Sequence, residues 1–173
     1  MGHPGTVDAT YELTQAKAQY CYNLDARDWG ALGALMTSDV EFDVGDGDDR
    51  VPVLVGREAV LDMLRRALAD SRSVHQAHMP MFDVDAEEAR VVWTMHDRVV
   101  WDDGRSRTGY GHYRERWVRG DGEWKLAALR LTRLLVESGD DIPLTMYEAA
   151  RRAPGRLDDA HRFRSFPATE SGW

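Results

Sequence analysis

A carboxylate set among aromatic residues and a pair of closely spaced histidines are the parts of this sequence best suited to chemistry. Asp97 follows Val-Val-Trp-Thr-Met-His, so in a strand it shares a face with Trp93, Met95 and Val99. Burial on so apolar a face raises a carboxyl pKa unless a cation or hydrogen-bond donors compensate, and such a group can exchange a proton near neutral pH. His75 and His78 lie in Val-His-Gln-Ala-His-Met-Pro-Met. Three-residue spacing in a regular strand sends the two rings to opposite faces. One then enters an interior while the other points out or packs under a helix, unless a bulge near Pro80 changes the parity. An imidazole with an ordinary pKa of about 6.5 is a natural proton carrier. One parity of the following strand holds Tyr110, His112, Arg114 and Arg116, and the other holds Gly109, Gly111, Tyr113, Glu115 and Trp117. In the last strand Arg130 shares the parity of Trp124, Leu126 and Thr132, and Arg133 that of Leu129 and Leu131. An arginine inside a sheet either anchors an anionic substrate group or bridges Asp97 or Glu115 as a structural ion pair, and the pattern leaves both open. His75, His78 and Asp97 have the composition of a two-histidine, one-carboxylate metal set. The parity argument separates the histidines, so no metal is expected.

These residues need elements to position them. Leu13, Ala16, Tyr20 and Leu24 recur at helical spacing, which predicts a helix over 8–24 with Glu12, Lys17 and Gln19 toward water. Asp25 reads as the N-cap of a second short helix, with Asp28 at its N3 position and Trp29, Leu32 and Leu35 as its buried stripe. Strands are predicted over 39–43 and 51–55, the latter at an edge or a start because of Pro52. A third helix opens at Gly56 and buries Val60, Leu61, Leu64 and Leu68. The period then changes to two, with strands over 73–84, 89–101, 107–118 and 123–136 separated by turns short enough for antiparallel neighbours. That order is an α+β pattern. Four tryptophans on these strands, Trp93, Trp101, Trp117 and Trp124, suggest that part of one sheet face forms an oligomer interface.

The chain has 173 residues, 43% hydrophobic and 30% charged, with a net charge of -8 and a single cysteine. This composition fits one soluble domain over 8–136, between a flexible segment at 1–7 and an extension at 137–173. It excludes an internal disulfide and any zinc site built from several thiolates. An acidic balance suits neither a phosphate backbone nor a membrane surface, and there is no lysine-bearing glycine loop, so no nucleic acid is expected. No apolar run approaches membrane-spanning length and no signal segment opens the chain, so a cytoplasmic protein is expected.

Several segments together resemble the SnoaL-like branch of the nuclear transport factor two superfamily, in particular members similar to scytalone dehydratase and the bile acid dehydratases. They are Tyr20 to Trp29, Asp39 to Phe42, Gly56-Arg-Glu-Ala, His75 to Pro80 and Ala89 to Asp97, followed by Gly109-Tyr-Gly-His-Tyr, Gly122-Glu-Trp-Lys-Leu and Leu129-Arg-Leu-Thr-Arg. The resemblance spans about residues 8–136. It implies a cone-shaped α+β roll of the cystatin-like kind, with a strongly curved mixed sheet wrapped around three helices and a deep pocket at one end. It also implies a dimer or trimer, an aromatic or polycyclic small-molecule ligand and no cofactor. By motif position the catalytic groups become Tyr20, Asp25, His75 or His78, and Asp97. An arginine from the final strand joins them, Arg130 or Arg133, and substrate contacts fall to Arg130, Tyr113, Trp93 and Met95. The implied reaction is elimination of water from a hydroxylated, enolisable substrate, a histidine–aspartate pair taking the proton alpha to a carbonyl and Tyr20 or the arginine stabilising the oxyanion. Isomerisation or cyclisation needs the same groups, and a small-molecule-binding oligomer without turnover is the alternative from another class. Without the resemblance, Asp25 needs no role beyond capping, and Tyr20 none beyond the core.

Overall fold

The computed structural model describes residues 4–45 and 51–139. Helix α1 spans Pro4–Ala26, and a two-residue break, Arg27 and Asp28, leads to α2, Trp29–Ala34. Strands β1, Met36–Asp43, and β2, Leu54–Val55, precede α3, Arg57–Ala67. Four long strands follow: β3, Ser71–Val84; β4, Glu88–Trp101; β5, Ser106–Gly120; and β6, Glu123–Ser138. The β5–β6 turn carries Asp121 and Gly122 at φ 52° and 80°, the left-handed pair that a tight hairpin turn requires. Each predicted element is present, with ends displaced by a few residues. The expected domain end at 136 falls inside β6, and the rest of the predicted extension, 140–173, lies outside the described residues.

The six strands form one mixed sheet in the order β2-β1-β6-β5-β4-β3, with β1 parallel to β6 and the other neighbours antiparallel. The cone-shaped, strongly curved roll expected from the resemblance is therefore corrected. The sheet is open, with β2 and β3 at its two edges. The hydrogen-bonded ladder does not return from β3 to the other edge, and the two-residue β2 is too short to supply a closing seam. α1 packs against β3 and α3 against β1, so the helices cover one sheet face.

That face holds the core. Leu13, Tyr20 and Leu24 of α1, Val60 and Leu61 of α3, and Val91, Trp93, Met95, Trp117, Leu126 and Leu129 of the sheet are almost fully buried. Full burial of such a side chain contributes about 1.5–3 kcal/mol. Trp93, Trp117 and Trp124 are all buried among them, and Trp101 is half-buried beneath Arg105 and Arg107. The tryptophans therefore give no argument for an oligomer interface. Lys17, expected in water, is 1% exposed.

Candidate active site

The end of α1 places the first carboxylate. The N–H of Asp28 donates to Asn23 O at 2.9 Å and that of Arg27 to Leu24 O at 3.3 Å, the paired bonds of a Schellman ending. Asp28, not Asp25, then caps α2, accepting from the Ala31 N–H at 2.9 Å. The expected capping role of Asp25 is thus corrected by three residues, and Asp25 stays in the last turn of α1 with its carboxylate toward β3. There Oδ2 accepts the backbone N–H of His75 at 2.8 Å, while Oδ1 accepts His75 Nδ1 at 2.6 Å and the Ser73 hydroxyl at 2.7 Å. Burial pushes the Asp25 carboxyl up; the hydrogen bonds from the His75 ring, the His75 backbone and Ser73 outweigh it and hold the group below the usual carboxylate range. A carboxylate at Nδ1 requires the proton there, which leaves Nε2 as the basic nitrogen.

Strand register brings the second carboxylate to the same face. His75 stands opposite Asp97, and Asp97 opposite Gly109, in one row across β3, β4 and β5. Asp97 is 2% exposed, and its Oδ2 accepts Arg133 Nη2 at 2.9 Å. Its Oδ1 is buried without a hydrogen-bond partner among the described residues. Gly109 makes this arrangement possible: a Cβ there would stand 2.5 Å from Asp97 Oδ1 and 3.0 Å from Arg133 Nε. His78 lies exposed on the other face, ahead of a register shift between His78 and Met81 where Met79 takes φ 43°. Arg130 also faces away from Asp97. It stands opposite Arg114 and Asp43, and its Nε lies 3.4 Å from Asp43 Oδ2. Arg133 therefore meets Asp97 and Arg130 does not.

Beyond Asp97 the same face carries a buried polar knot. The Lys17 ammonium binds Glu115 Oε1, and Glu115 Oε2 accepts the indole N–H of Trp93 at 2.8 Å and of Trp117 at 3.0 Å. Lys17 Nζ also sits 4.4 Å from the Tyr20 ring centre and 4.0 Å from that of Tyr113, a cation between two π faces. Burial, then the charge of Glu115, pushes the Tyr20 phenol well above its usual pKa. Burial also raises Tyr113, with Tyr20 and Asp97 adding to it. Both phenols are therefore protonated at neutral pH. Met95, expected to contact substrate, is 1% exposed and belongs to the core cluster.

Sequence reasoning missed Lys17, Arg27 and Ser73, and it treated Glu115 only as a partner for arginine. Two signals were available. Lys17 lies four residues from Leu13 and three from Tyr20, on the buried stripe of α1, and Ser71 and Ser73 share the parity of His75. Among the described residues no three histidine, cysteine, aspartate or glutamate side chains converge as a metal site requires, and no helix is long and apolar enough to cross a membrane.

The SnoaL-like domain model matches residues 5–130. Solved structures share the fold at low identity. One, provisionally named a scytalone dehydratase, from Novosphingobium aromaticivorans, is 22% identical with a TM-score of 0.69, over 76% of this chain and 87% of that one. A type 2 hexachlorocyclohexane dehydrochlorinase is 16% identical with a TM-score of 0.69, over 79% and 93%. A protein provisionally named an aromatic ring hydroxylase, also from Novosphingobium aromaticivorans, is 18% identical with a TM-score of 0.69, over 83% and 96%. Among curated proteins none matches the chain.

Proposed function

The chain belongs to the SnoaL-like domain family, and from that premise we propose that it is an enzyme that eliminates water from a hydroxylated, enolisable aromatic or polycyclic molecule by acid–base catalysis. One observation carries the reading: His75 is hydrogen-bonded through Nδ1 to Asp25 and stands opposite Asp97 on the same sheet face. In the proposed step Nε2 removes the proton alpha to the substrate carbonyl while Asp25 stabilises the imidazolium that forms. The electrons of that C–H bond form the new double bond as the C–O bond of the hydroxyl breaks. The imidazolium returns its proton to the departing oxygen, so the products are the unsaturated carbonyl compound and water. Arg133 and the protonated phenols of Tyr20 and Tyr113 supply positive charge and donors for the developing oxyanion. The buried Oδ1 of Asp97 serves as an acceptor for a substrate hydroxyl.

Two fold relatives carry the names of elimination enzymes, one losing water and one losing hydrogen chloride. Both chemistries need one base and one departing group, which supports elimination over a binding role without turnover. Isomerisation remains the second reading, because the same base returning its proton to carbon gives it. The proposal includes a homo-oligomer, dimer or trimer, in the cytoplasm, with neither nucleic acid nor membrane as partner and no cofactor.

The test begins with thermal-shift screening of hydroxylated steroid- and polyketide-type ketones, followed by mass spectrometry for loss of one water. His75→Gln and Asp97→Asn are each expected to lower turnover by roughly 10²- to 10⁴-fold with affinity within about tenfold. The double variant is expected to be little worse than the poorer single. Binding with no water loss, no isomer and no deuterium exchange at the alpha carbon would sink the enzyme reading.

A further inference from the structure

We propose that Arg27 is a positioning residue: it clamps the end of α1 onto β3 and, through the Ser73 hydroxyl, fixes the Asp25 carboxylate that orients His75. The inference rests on the reading of Asp25 and His75 as the acid–base pair and adds to it the residues that hold that pair in register.

The backbone gives the first indication. Arg27 occupies the left-handed residue of the Schellman ending, with φ 60°, a place where glycine avoids the crowding that every L side chain suffers. An arginine held there is a local strain that its surroundings must offset. Its guanidinium does so. Nη1 donates to Leu24 O at 2.7 Å and to Ser73 Oγ at 2.9 Å, and Nη2 to Ser71 O at 3.1 Å and Ser71 Oγ at 3.2 Å. One planar fork thus ties the last turn of α1 to two alternate residues of β3.

Hydrogen-bond directions then follow by elimination. An arginine has no acceptor, so Ser73 Oγ must accept from Arg27 and spend its single proton elsewhere. That proton goes to Asp25 Oδ1, the oxygen that also accepts His75 Nδ1. The chain Arg27→Ser73→Asp25←His75 therefore has one direction at every link, and it ends with the proton on Nδ1 and the lone pair on Nε2. Without the guanidinium, the Ser73 hydroxyl is free to turn and the end of α1 is no longer tied to β3, so the Asp25 carboxylate leaves the ring part of the time and the proton is then free to sit on either nitrogen. Arg27 also lines an open cleft of about 400 Å³ with Trp29, Leu68 and Arg72, a cleft whose lining does not include His75. Both Nη atoms are engaged by Leu24, Ser73 and Ser71, so Arg27 reaches the Asp25–His75 pair through Ser73.

Three variants of the full chain test this: Arg27→Gly, Arg27→Lys and Ser73→Ala. Glycine suits the left-handed backbone, so Arg27→Gly removes the fork without disturbing the helix ending. The readout is NMR of the His75 imidazole nitrogens at a pH where the ring is neutral, with no substrate needed. The unaltered protein is expected to show Nδ1 protonated and Nε2 bare, Arg27→Gly and Ser73→Ala a mixture of both tautomers, and Arg27→Lys an intermediate state, because an ammonium cannot span both serines. Turnover in Arg27→Gly is expected to fall about 10- to 100-fold, taking as guide the range for loss of the hydrogen-bond partner that orients a metal-bound histidine. A folded Arg27→Gly or Ser73→Ala protein with the wild-type tautomer would overturn the proposal, and Ser73→Ala alone decides if the glycine variant fails to fold. Absence of turnover in the unaltered protein would instead remove the elimination reading, while the nitrogen spectra still decide the role of Arg27.

Discussion

Three donors converge on the Asp25 carboxylate, and its titration is accordingly a direct probe of the site. Its folded-state pKa lies below the unfolded value of about 3.9, because the bonds from His75 and Ser73 outweigh the effect of burial. A depressed carboxylate contributes stability that is fully present above its unfolded pKa and is lost as pH falls through its folded pKa. The stability difference between the wild type and Asp25→Asn is therefore expected to shrink as the pH falls below about 4. Urea unfolding at a series of acidic pH values measures this, and a difference that persists into strong acid would show that the carboxylate is not held down. Asp97 is a different kind of acid at the same scale. Its Oδ2 has a cation, and its Oδ1 is buried without a described partner against Gly109, where there is no room for a side chain.

Elements explain what the sequence disclosed and what it withheld. Periodicity marked every strand that carries the site, and parity alone separated His75 from His78, because two-residue alternation is a local property of the chain. Asp97 was legible for the same reason. The choice between Arg130 and Arg133 was not, since it depends on which strands lie beside β6 and on register shifts at Tyr110/Gly111 and Arg116/Trp117. The openness of the sheet was equally out of reach, because closure depends on pairing between edges that no local pattern encodes. Asp25 was misread as a cap because an aspartate three residues from another fits either place, and only the Schellman bonds choose between them. Lys17 was misread because a lysine on a helix is ordinarily solvated. Its partner Glu115 lies on β5, 98 residues away. This pair joins α1 to the sheet and yields an energetic contrast. Breaking a buried ion pair at one end leaves an uncompensated charge, so Lys17→Met is expected to cost about 3–5 kcal/mol. The double variant Lys17→Met with Glu115→Gln retains an acceptor for the two indoles and no buried charge, and is expected to regain most of that loss. Chemical denaturation of the three proteins measures both values, and a double variant no more stable than the single would show that the pair itself supplies the stability.

For the molecule as a whole, the two sheet faces have different characters. The helix-covered face holds the core, the buried knot and the His75–Asp97–Gly109 row on which Asp25 of α1 bears, whereas the other carries arginines and histidines interleaved with apolar residues. On that outer face Val74 is 55% exposed, Met81 42% and Tyr110 36%, and the Tyr110 ring stacks on His96 with ring centres 4.7 Å apart. Register puts Val74 opposite Arg98, Met81 opposite Val92, and Tyr110 opposite His96, so these exposed groups share one side of β3, β4 and β5. The ion pairs of the same face lie toward its other parts, Arg130 with Asp43 and Arg90 with Glu88 and Asp83. A second copy of the chain is the occupant we propose for this apolar part. Symmetric self-association covers exposed rings and aliphatic groups on both copies at once. Light scattering at micromolar concentration is expected to return two or three chain masses. Val74→Asp combined with Tyr110→Asp puts unpaired carboxylates in the contact and is expected to shift the population toward a single chain, leaving the His75 tautomer unchanged because the dyad lies on the opposite face. A single-chain mass for the unaltered protein would sink the interface, and an unchanged oligomer in the double variant would move it away from β3–β5.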